Sequence, residues 1–260
     1  DRRFAANNLS GKVGVDHRLP GGVLLFASFS RGYRASGFNA QAFFDVSEAG
    51  VAKPETINSF EAGAKLGGRA LSLSLTGFHY LYRNQQFLSV NPADAAQTLV
   101  NLDRSRIYGA EAEVEARADD KLPLQLGLGL LHARAIQGTI SGLDVAGHTL
   151  SNAPSFTANA GIGYTAWKDD ANRLTLRADA AYTSAQFFEI VNVPRLRQPG
   201  YALASAGLDW THGEWTLSVW GRNLTDETYF TSRIDLSGFG FDYNHVGTPR
   251  TFGASVKREF

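Results

Sequence analysis

The 260-residue sequence contains no cysteine. A disulfide scaffold, a thiolate metal site and a cysteine nucleophile are therefore excluded. Neither sign of charge is in excess, since 25 basic side chains balance 25 acidic ones. Nucleic-acid binders normally carry a basic surplus, so no nucleic-acid partner is expected. Proline is sparse, at 8 residues. No uninterrupted apolar run approaches the roughly 18 residues that a membrane helix needs. The first residues, Asp1-Arg2-Arg3-Phe4, lack the apolar stretch of a signal peptide, so an exported chain would be a mature fragment or an internal cut. There is no H-E-x-x-H, G-x-S-x-G or phosphate-binding loop, and the six histidines (His17, His79, His132, His148, His212 and His245) form no close ligand pair. No metal site, cofactor or catalytic constellation is expected.

Hydrophobic residues make up 43% of the chain and aromatics 12%, too much for a disordered polymer. The 27 glycines fall between and within short apolar–polar alternations, which favours an all-β protein rich in turns. Strand side chains alternate in direction, so parity separates the two faces. In Tyr108–Ala118 the even positions are Tyr or Ala or Val, and the odd ones are Gly109, Glu111, Glu113, Glu115 and Arg117. Leu174–Tyr182 and Phe156–Tyr164 separate in the same way. Less clean alternation marks Leu9–Leu19, Val23–Tyr33, Phe60–Leu66, Leu124–Leu130, Ala202–Trp210 and Phe252–Phe260, and a strand opens at Trp215. One segment changes parity: Leu71, Leu73 and Leu75 are odd, whereas Phe78, Tyr80 and Tyr82 are even. Either a bulge near Gly77 or an aromatic inner face would account for it. About eleven strands result.

Connections alternate in length. Short ones are Pro20-Gly21-Gly22, Gly67-Gly68-Arg69, Asp119-Asp120-Lys121, Lys168 to Asn172 and His212-Gly213-Glu214. Long ones cover Ala35 to Pro54, Asn84 to Asp103, Ile136 to Pro154, Gln186 to Pro199 and Thr225 to Val246. Short turns on one rim and long loops on the other characterise outer-membrane β-barrels. A soluble sandwich or small barrel also alternates. It does not explain a charged row such as Glu111, Glu113 and Glu115, which suits a wet lumen. Nor does it explain the aromatics Tyr164, Tyr182, Trp210, Trp215 and Phe260 at strand ends on the apolar parity, the place of an interfacial girdle.

Five ordered motifs resemble the C-terminal barrel of TonB-dependent receptors. They are SRGYRASGF (Ser30–Phe38), PETINSFEAGAK (Pro54–Lys65), RIYGAEAEVEA (Arg106–Ala116), RNLTDETYF (Arg222–Phe230) and GTPRTFG (Gly247–Gly253), with a terminal Phe260. The resemblance covers nearly the whole chain. It implies an antiparallel transmembrane barrel of 22 strands, of which residues 1–260 supply a half-open, single-domain part without the plug. It also implies outer-membrane lipid around the wall, TonB engaged through the absent N-terminal part, and barrel-assembly machinery reading the strand that ends in Phe260. Arg258 departs from the family's usual apolar residue at its position. The implied function is receptor-mediated uptake of a scarce nutrient, with a ferric siderophore as the default ligand. A passive porin-like channel is the alternative, and an outer-membrane enzyme would need a rim constellation that is absent.

Bulky, anionic, often aromatic ligands suit stacking and arginine contacts. The candidate ligand-binding residues are therefore the aromatics and arginines of the long connections: Phe43 and Phe44; Phe187, Phe188, Arg195 and Arg197; and Tyr229, Arg233, Phe239, Phe241 and Tyr243.

Overall fold

The computed structural model describes residues 7–39, 50–93, 95–118 and 122–260. Phe43, Phe44 and the turn Asp119-Asp120-Lys121 lie outside the described residues. In chain order the strands are β1 (Gly11–Arg18), β2 (Val23–Arg34), β3 (Gly37–Phe38), β4 (Val51–Ala52), β5 (Glu55–Leu66) and β6 (Leu71–Val90). Then come β7 (Gln97–Ala118), β8 (Leu122–Gln137), β9 (Thr139–Ile140), β10 (Leu143–Asp144), β11 (Phe156–Lys168) and β12 (Asn172–Thr183). The last are β13 (Tyr201–His212), β14 (Trp215–Arg222), β15 (Phe230–Leu236), β16 (Phe241–Val246) and β17 (Thr251–Arg258). Eleven form one antiparallel sheet in the order β1-β2-β5-β6-β7-β8-β11-β12-β13-β14-β17. These are the eleven segments that alternate in the sequence. The six short strands pair among themselves inside the long connections.

Register shows why the alternation matters. Residues directly opposite in an antiparallel pair share a face. Ala112 faces Leu75 and Leu128, Leu128 faces Ala158, and Ala160 faces Ala180. Leu176 faces Tyr164 and Leu208, and Leu208 faces Val219. One continuous apolar face thus crosses the sheet. Eight residues along β12 separate Leu174, opposite Trp210, from Tyr182. That is about 27 Å along the strand, or roughly 20 Å of height at a tilt near 40°, close to the apolar band of an outer-membrane barrel.

The other face is polar and aromatic. It carries Glu111, Glu113 and Glu115, the Arg177–Asp209 ion pair, and Ser218, whose hydroxyl donates to Asp209. Phe78, Tyr80 and Tyr82 lie here too. The β6–β7 register runs without a shift from Leu71↔Ala116 to Arg83↔Arg104, so there is no bulge at Gly77. The change of parity is an aromatic inner face. Two glycines make room for it. A Cβ on Gly63 would lie 2.7 Å from the Phe26 ring, and one on Gly109 would lie 2.7 Å from Phe78 and inside the Leu130 carbonyl. Phe78 stacks on Tyr80 at 5.1 Å, and the Tyr80 hydroxyl donates to Glu61 at 2.7 Å.

One boundary differs from the sequence reading. Asn84 to Asp103 is no open loop. β6 and β7 continue as a paired hairpin to Val90↔Gln97. Parity fails there because no lipid defines an apolar side. Instead Gln86 Nε2 donates to the carbonyls of Ala35 (2.8 Å) and Lys53 (3.0 Å), and Asn101 Nδ2 donates to those of Asn84 (2.8 Å) and Lys53 (3.0 Å). These bonds tie the hairpin to the first long connection.

The short rim is built by local chemistry. Gly213 takes φ +53° in the His212–Glu214 turn. The Asp169 carboxylate accepts from the amides of Ala171 (2.9 Å) and Asn172 (2.8 Å), which hold it below the usual carboxylate range. Arg258 sits opposite Trp215, near this rim. Its guanidinium reaches Glu214 at 3.1 Å and lies over the rings of Trp215 and Phe260, so the departure from the family pattern has an ion pair and two stacking partners.

The buried hydrophobic residues among those described cluster at the long-loop end, not in the middle of the wall. Leu102, Ala133, Ala135, Ile140, Val145, Leu150, Ala153 and Ile190 form one core, with Phe87 and Val191 packed on it. A single curved sheet has no partner layer, so only the loops can enclose apolar groups.

Candidate functional site

Three long connections build the candidate site. Residues 138–153, carrying β9 and β10, supply the buried Ile140, Val145 and Leu150. Residues 184–200 pack on them through Ile190. Asn192 locks the two together. It takes φ +56°, a region that asparagine tolerates. Its amide donates to the carbonyl of Thr149 at 2.8 Å, and its side-chain oxygen accepts from the Thr149 amide at 2.8 Å. Phe187 and Phe188 are half-buried in this loop, and the Phe187 carbonyl accepts from the Asn152 amide at 2.8 Å.

The third connection is the β15–β16 hairpin. Arg195, on a 3-10 turn at Pro194–Leu196, binds it. Its guanidinium grips Asp242 with two hydrogen bonds, of 3.1 and 3.0 Å, and reaches buried Asp235 at 2.5 Å. Burial pushes the Asp235 carboxyl up, but hydrogen bonds from Ser237 and the Arg195 charge outweigh it and hold the group below its ordinary range. Beside them, burial pushes Glu189 up, reinforced by the charges of Asp235 and Asp242. Gln198 adds a second tie. It is buried, and its side-chain oxygen accepts from the Phe230 amide at 2.9 Å.

Of the sequence candidates, several hold the assembly together. Arg195 is engaged as described. Arg233 donates to Asn244 at 2.6 Å and to the Arg197 carbonyl at 3.3 Å, and lies over the Phe230 ring at 4.5 Å. Tyr229 stacks on Tyr201 at 4.7 Å and fills the space over Gly247. Others face outward. Phe239, Phe241 and Tyr243 are 53%, 57% and 47% exposed, and Arg197 is exposed. Large aromatics held open to solvent on a braced hairpin are available to a ligand.

The hairpin tip also reaches far. The Gly238 amide donates to the Pro92 carbonyl at 3.1 Å, at the turn of the β6–β7 hairpin. β14, which leads into β15, lies six strand positions from β6 in the sheet order. The contact therefore requires a strongly curved sheet with loops that meet across its mouth. A Cβ on Gly238 would lie 2.4 Å from the Pro92 carbonyl oxygen, so only glycine permits this approach.

The RNLTDETYF motif anchors the hairpin. Asn223, at φ +49°, accepts from the Glu227 amide at 2.9 Å and donates to the carbonyls of Glu227 (2.9 Å) and Thr248 (3.2 Å). Asp226 pairs with Arg250 of GTPRTFG at 2.8 Å. Two motifs far apart in sequence thus form one joint.

Residues 1–224 match the family described as TonB dependent receptor-like, beta-barrel. The chain belongs to that family. Solved structures agree on the fold. The ferric yersiniabactin uptake receptor FyuA from Yersinia pestis is 20% identical with a TM-score of 0.81, the match covering 96% of this chain and 37% of FyuA. The siderophore receptor PiuA from Acinetobacter baumannii is 18% identical with a TM-score of 0.72, covering 95% and 35%. The copper transporter OprC is 19% identical with a TM-score of 0.71, covering 96% and 39%. The chain therefore spans little more than a third of each. TonB-dependent receptor barrels are outer-membrane proteins of Gram-negative bacteria, and the family comprises transport receptors, not enzymes.

Sequence reasoning missed Asp235, Asp242, Asn192, Gln198 and Gly238. A lone acid or amide in a long polar loop carries no pattern. The alternation within Phe230–Leu236 and Phe241–Val246 was the available signal for the hairpin, and with it for the Arg195 partners.

Proposed function

We propose that this chain supplies barrel wall and extracellular loops to an outer-membrane receptor for TonB-dependent uptake, with a ferric siderophore as the ligand class. In this reading residues 1–260 form one barrel-wall domain. The plug and the TonB-engaging segment belong to another part of the receptor, and the assembly machinery reads the strand that ends in Phe260. Family membership supports the transport reading. The observation that carries the ligand reading is the β15–β16 hairpin. It displays Phe239, Phe241 and Tyr243 to solvent while Arg195 holds it, close to its tip, to the neighbouring loop. Exposed planar aromatic faces, together with the exposed Arg197 of the neighbouring loop, fit a bulky, anionic, aromatic chelate. OprC transports copper, so the metal is the finer part of the reading.

The test uses the intact receptor. Alanine at Phe239, Phe241, Tyr243 and Arg197 should weaken binding and uptake of ferric catecholates or ferric hydroxamates by roughly tenfold or more, the loss of one or two stacking and charged contacts. Unchanged affinity and uptake in the combined variant would refute the ligand reading.

A further inference from the structure

The apolar outer face ends toward the long loops in a row of rings. Phe29, Phe60, His79, Tyr108 and His132 stand directly opposite one another on β2, β5, β6, β7 and β8. Successive centroids lie 4.9, 6.5, 6.2 and 4.8 Å apart. Such a girdle marks the level where hydrocarbon gives way to headgroups.

The next two rows toward the loops, on the same outward parity, are basic. The first is Arg31, Asn58, Leu81, Arg106 and Arg134, and the second contains Tyr33, Thr56, Arg83 and Arg104. Arg83 stands directly opposite Arg104, and Arg106 directly opposite Arg134. Like charges so placed repel. Among the described residues, no carboxylate lies within ion-pairing distance of any of these five arginines. The nearest acids along the chain, Glu55 and Asp103, fall on the other parity, and Glu55 accepts from the Gln86 amide at 2.7 Å. Arg31 donates to Asn58 (3.1 Å), Arg134 donates to the Gly147 carbonyl (2.8 Å), and Arg106 lies over Tyr108 (5.7 Å). Among the described residues, Arg83 and Arg104 have no such partner. Between them opens a cleft of about 330 Å³ lined by Thr56, Asn58, Leu81, Arg83, Arg104 and Arg106, with Ile136 at its side.

We propose that this cleft is a binding site for the phosphorylated headgroup of an outer-leaflet lipid. The proposal rests on the outer-membrane reading above. The guanidinium fork matches phosphate oxygens, an anion relieves both repulsive pairs, and Leu81, in the row next to the girdle, offers apolar contact where an acyl chain would begin. The feature is local. Near the long-loop ends of β12, β13 and β17 the outward residues are Tyr182, Ala202 and Phe252, none of them basic.

The test places the intact receptor in phosphatidylcholine nanodiscs and titrates lipid A carrying both phosphates, with retained lipid read by native mass spectrometry. The wild type should bind it in preference to the dephosphorylated lipid. The combined variant Arg83→Ala, Arg104→Ala, Arg106→Ala should bind on the order of tenfold or more weakly. The same positions changed to lysine should bind between the two, since the charge is kept and the fork is lost. Removing three short-rim arginines (Arg18, Arg69 and Arg173) should change it little. Heat-modifiable migration on gels confirms that each variant is folded. Equal binding by the triple alanine variant, or equal binding of the dephosphorylated lipid, would overturn the proposal. Displacement by millimolar inorganic phosphate alone would also do so, since it would assign the site to a free ion. A receptor that fails to insert in the nanodisc at all would instead sink the outer-membrane reading.

Discussion

Single residues decide how the loops are held. Asp235 and Glu189 sit close together and respond to acid in opposite ways. The Asp235 carboxyl is held below its ordinary range, so its stabilisation is fully present above that range and is lost as pH falls through its lowered value. The Glu189 carboxyl is raised by burial, so the cost of its charge is absent below the ordinary range and appears as pH rises through its raised value. The loop assembly should therefore be tightest under mildly acidic conditions. Protection of the amides in residues 186–199 and 230–246 of the intact receptor, taken relative to their intrinsic exchange rates, should be greatest under mildly acidic conditions and smaller in strong acid and at neutral pH. A monotonic dependence would contradict this pairing. Asn223 offers a second residue-scale test. Replacing it with alanine removes four hydrogen bonds and leaves φ +49° to a residue that disfavours it. The expected cost is about 1–3 kcal/mol in a denaturant titration of the refolded receptor.

Elements obey the faces that register assigns. Leu176 is 41% exposed on the outward side, opposite Tyr164 and Leu208. Arginine there should cost about 2–4 kcal/mol near the bilayer midplane. The neighbouring Arg177 already lies on the polar side, paired with Asp209. A folding titration that shows no cost for Leu176→Arg would mean the two faces are exchanged. At the hairpin tips, Gly238→Ala cannot keep its contact with Pro92. Limited proteolysis should then cut the β15–β16 tip several-fold faster while the wall strands stay protected, because local opening does not require the sheet to melt. Equal protection of the tip would show that the contact does not hold it.

At the scale of the whole molecule, the sheet has two ends. β1 and β17 lie at opposite extremes of the strand order, and no described pairing joins them. Both run toward the short-turn rim, so sealing them to each other would make a parallel pair, foreign to an antiparallel barrel with an even strand number. Unpaired edge backbone is prohibitive in hydrocarbon. The 260-residue chain refolded by itself into lipid vesicles should remain protease-sensitive and fail to migrate as a compact, heat-modifiable barrel. A resistant, heat-modifiable monomer would disprove the open-edge topology.

The sequence by itself determined the wall. Lipid on one side and water on the other impose a period of two, and that period is written in Tyr108–Ala118 and Leu174–Tyr182 without reference to any distant residue. Eleven strands, their order of turns and their apolar face all follow from it. Tertiary structure alone decided the rest. Whether Phe78, Tyr80 and Tyr82 reflect a bulge or an inner aromatic patch depended on the register with β7 and on the space Gly109 leaves for Phe78. The continuation of β6 and β7 past Arg83 escaped parity because no solvent boundary acts there. The proposed binding surface was legible only as a supply of aromatics and arginines. Arg195 meets Asp235 across 40 residues and Asp242 across 47, and Gly238 meets Pro92 across the mouth of the sheet. Such pairings depend on where the curved wall brings its loops, and a single strand's alternation carries no information about that curvature.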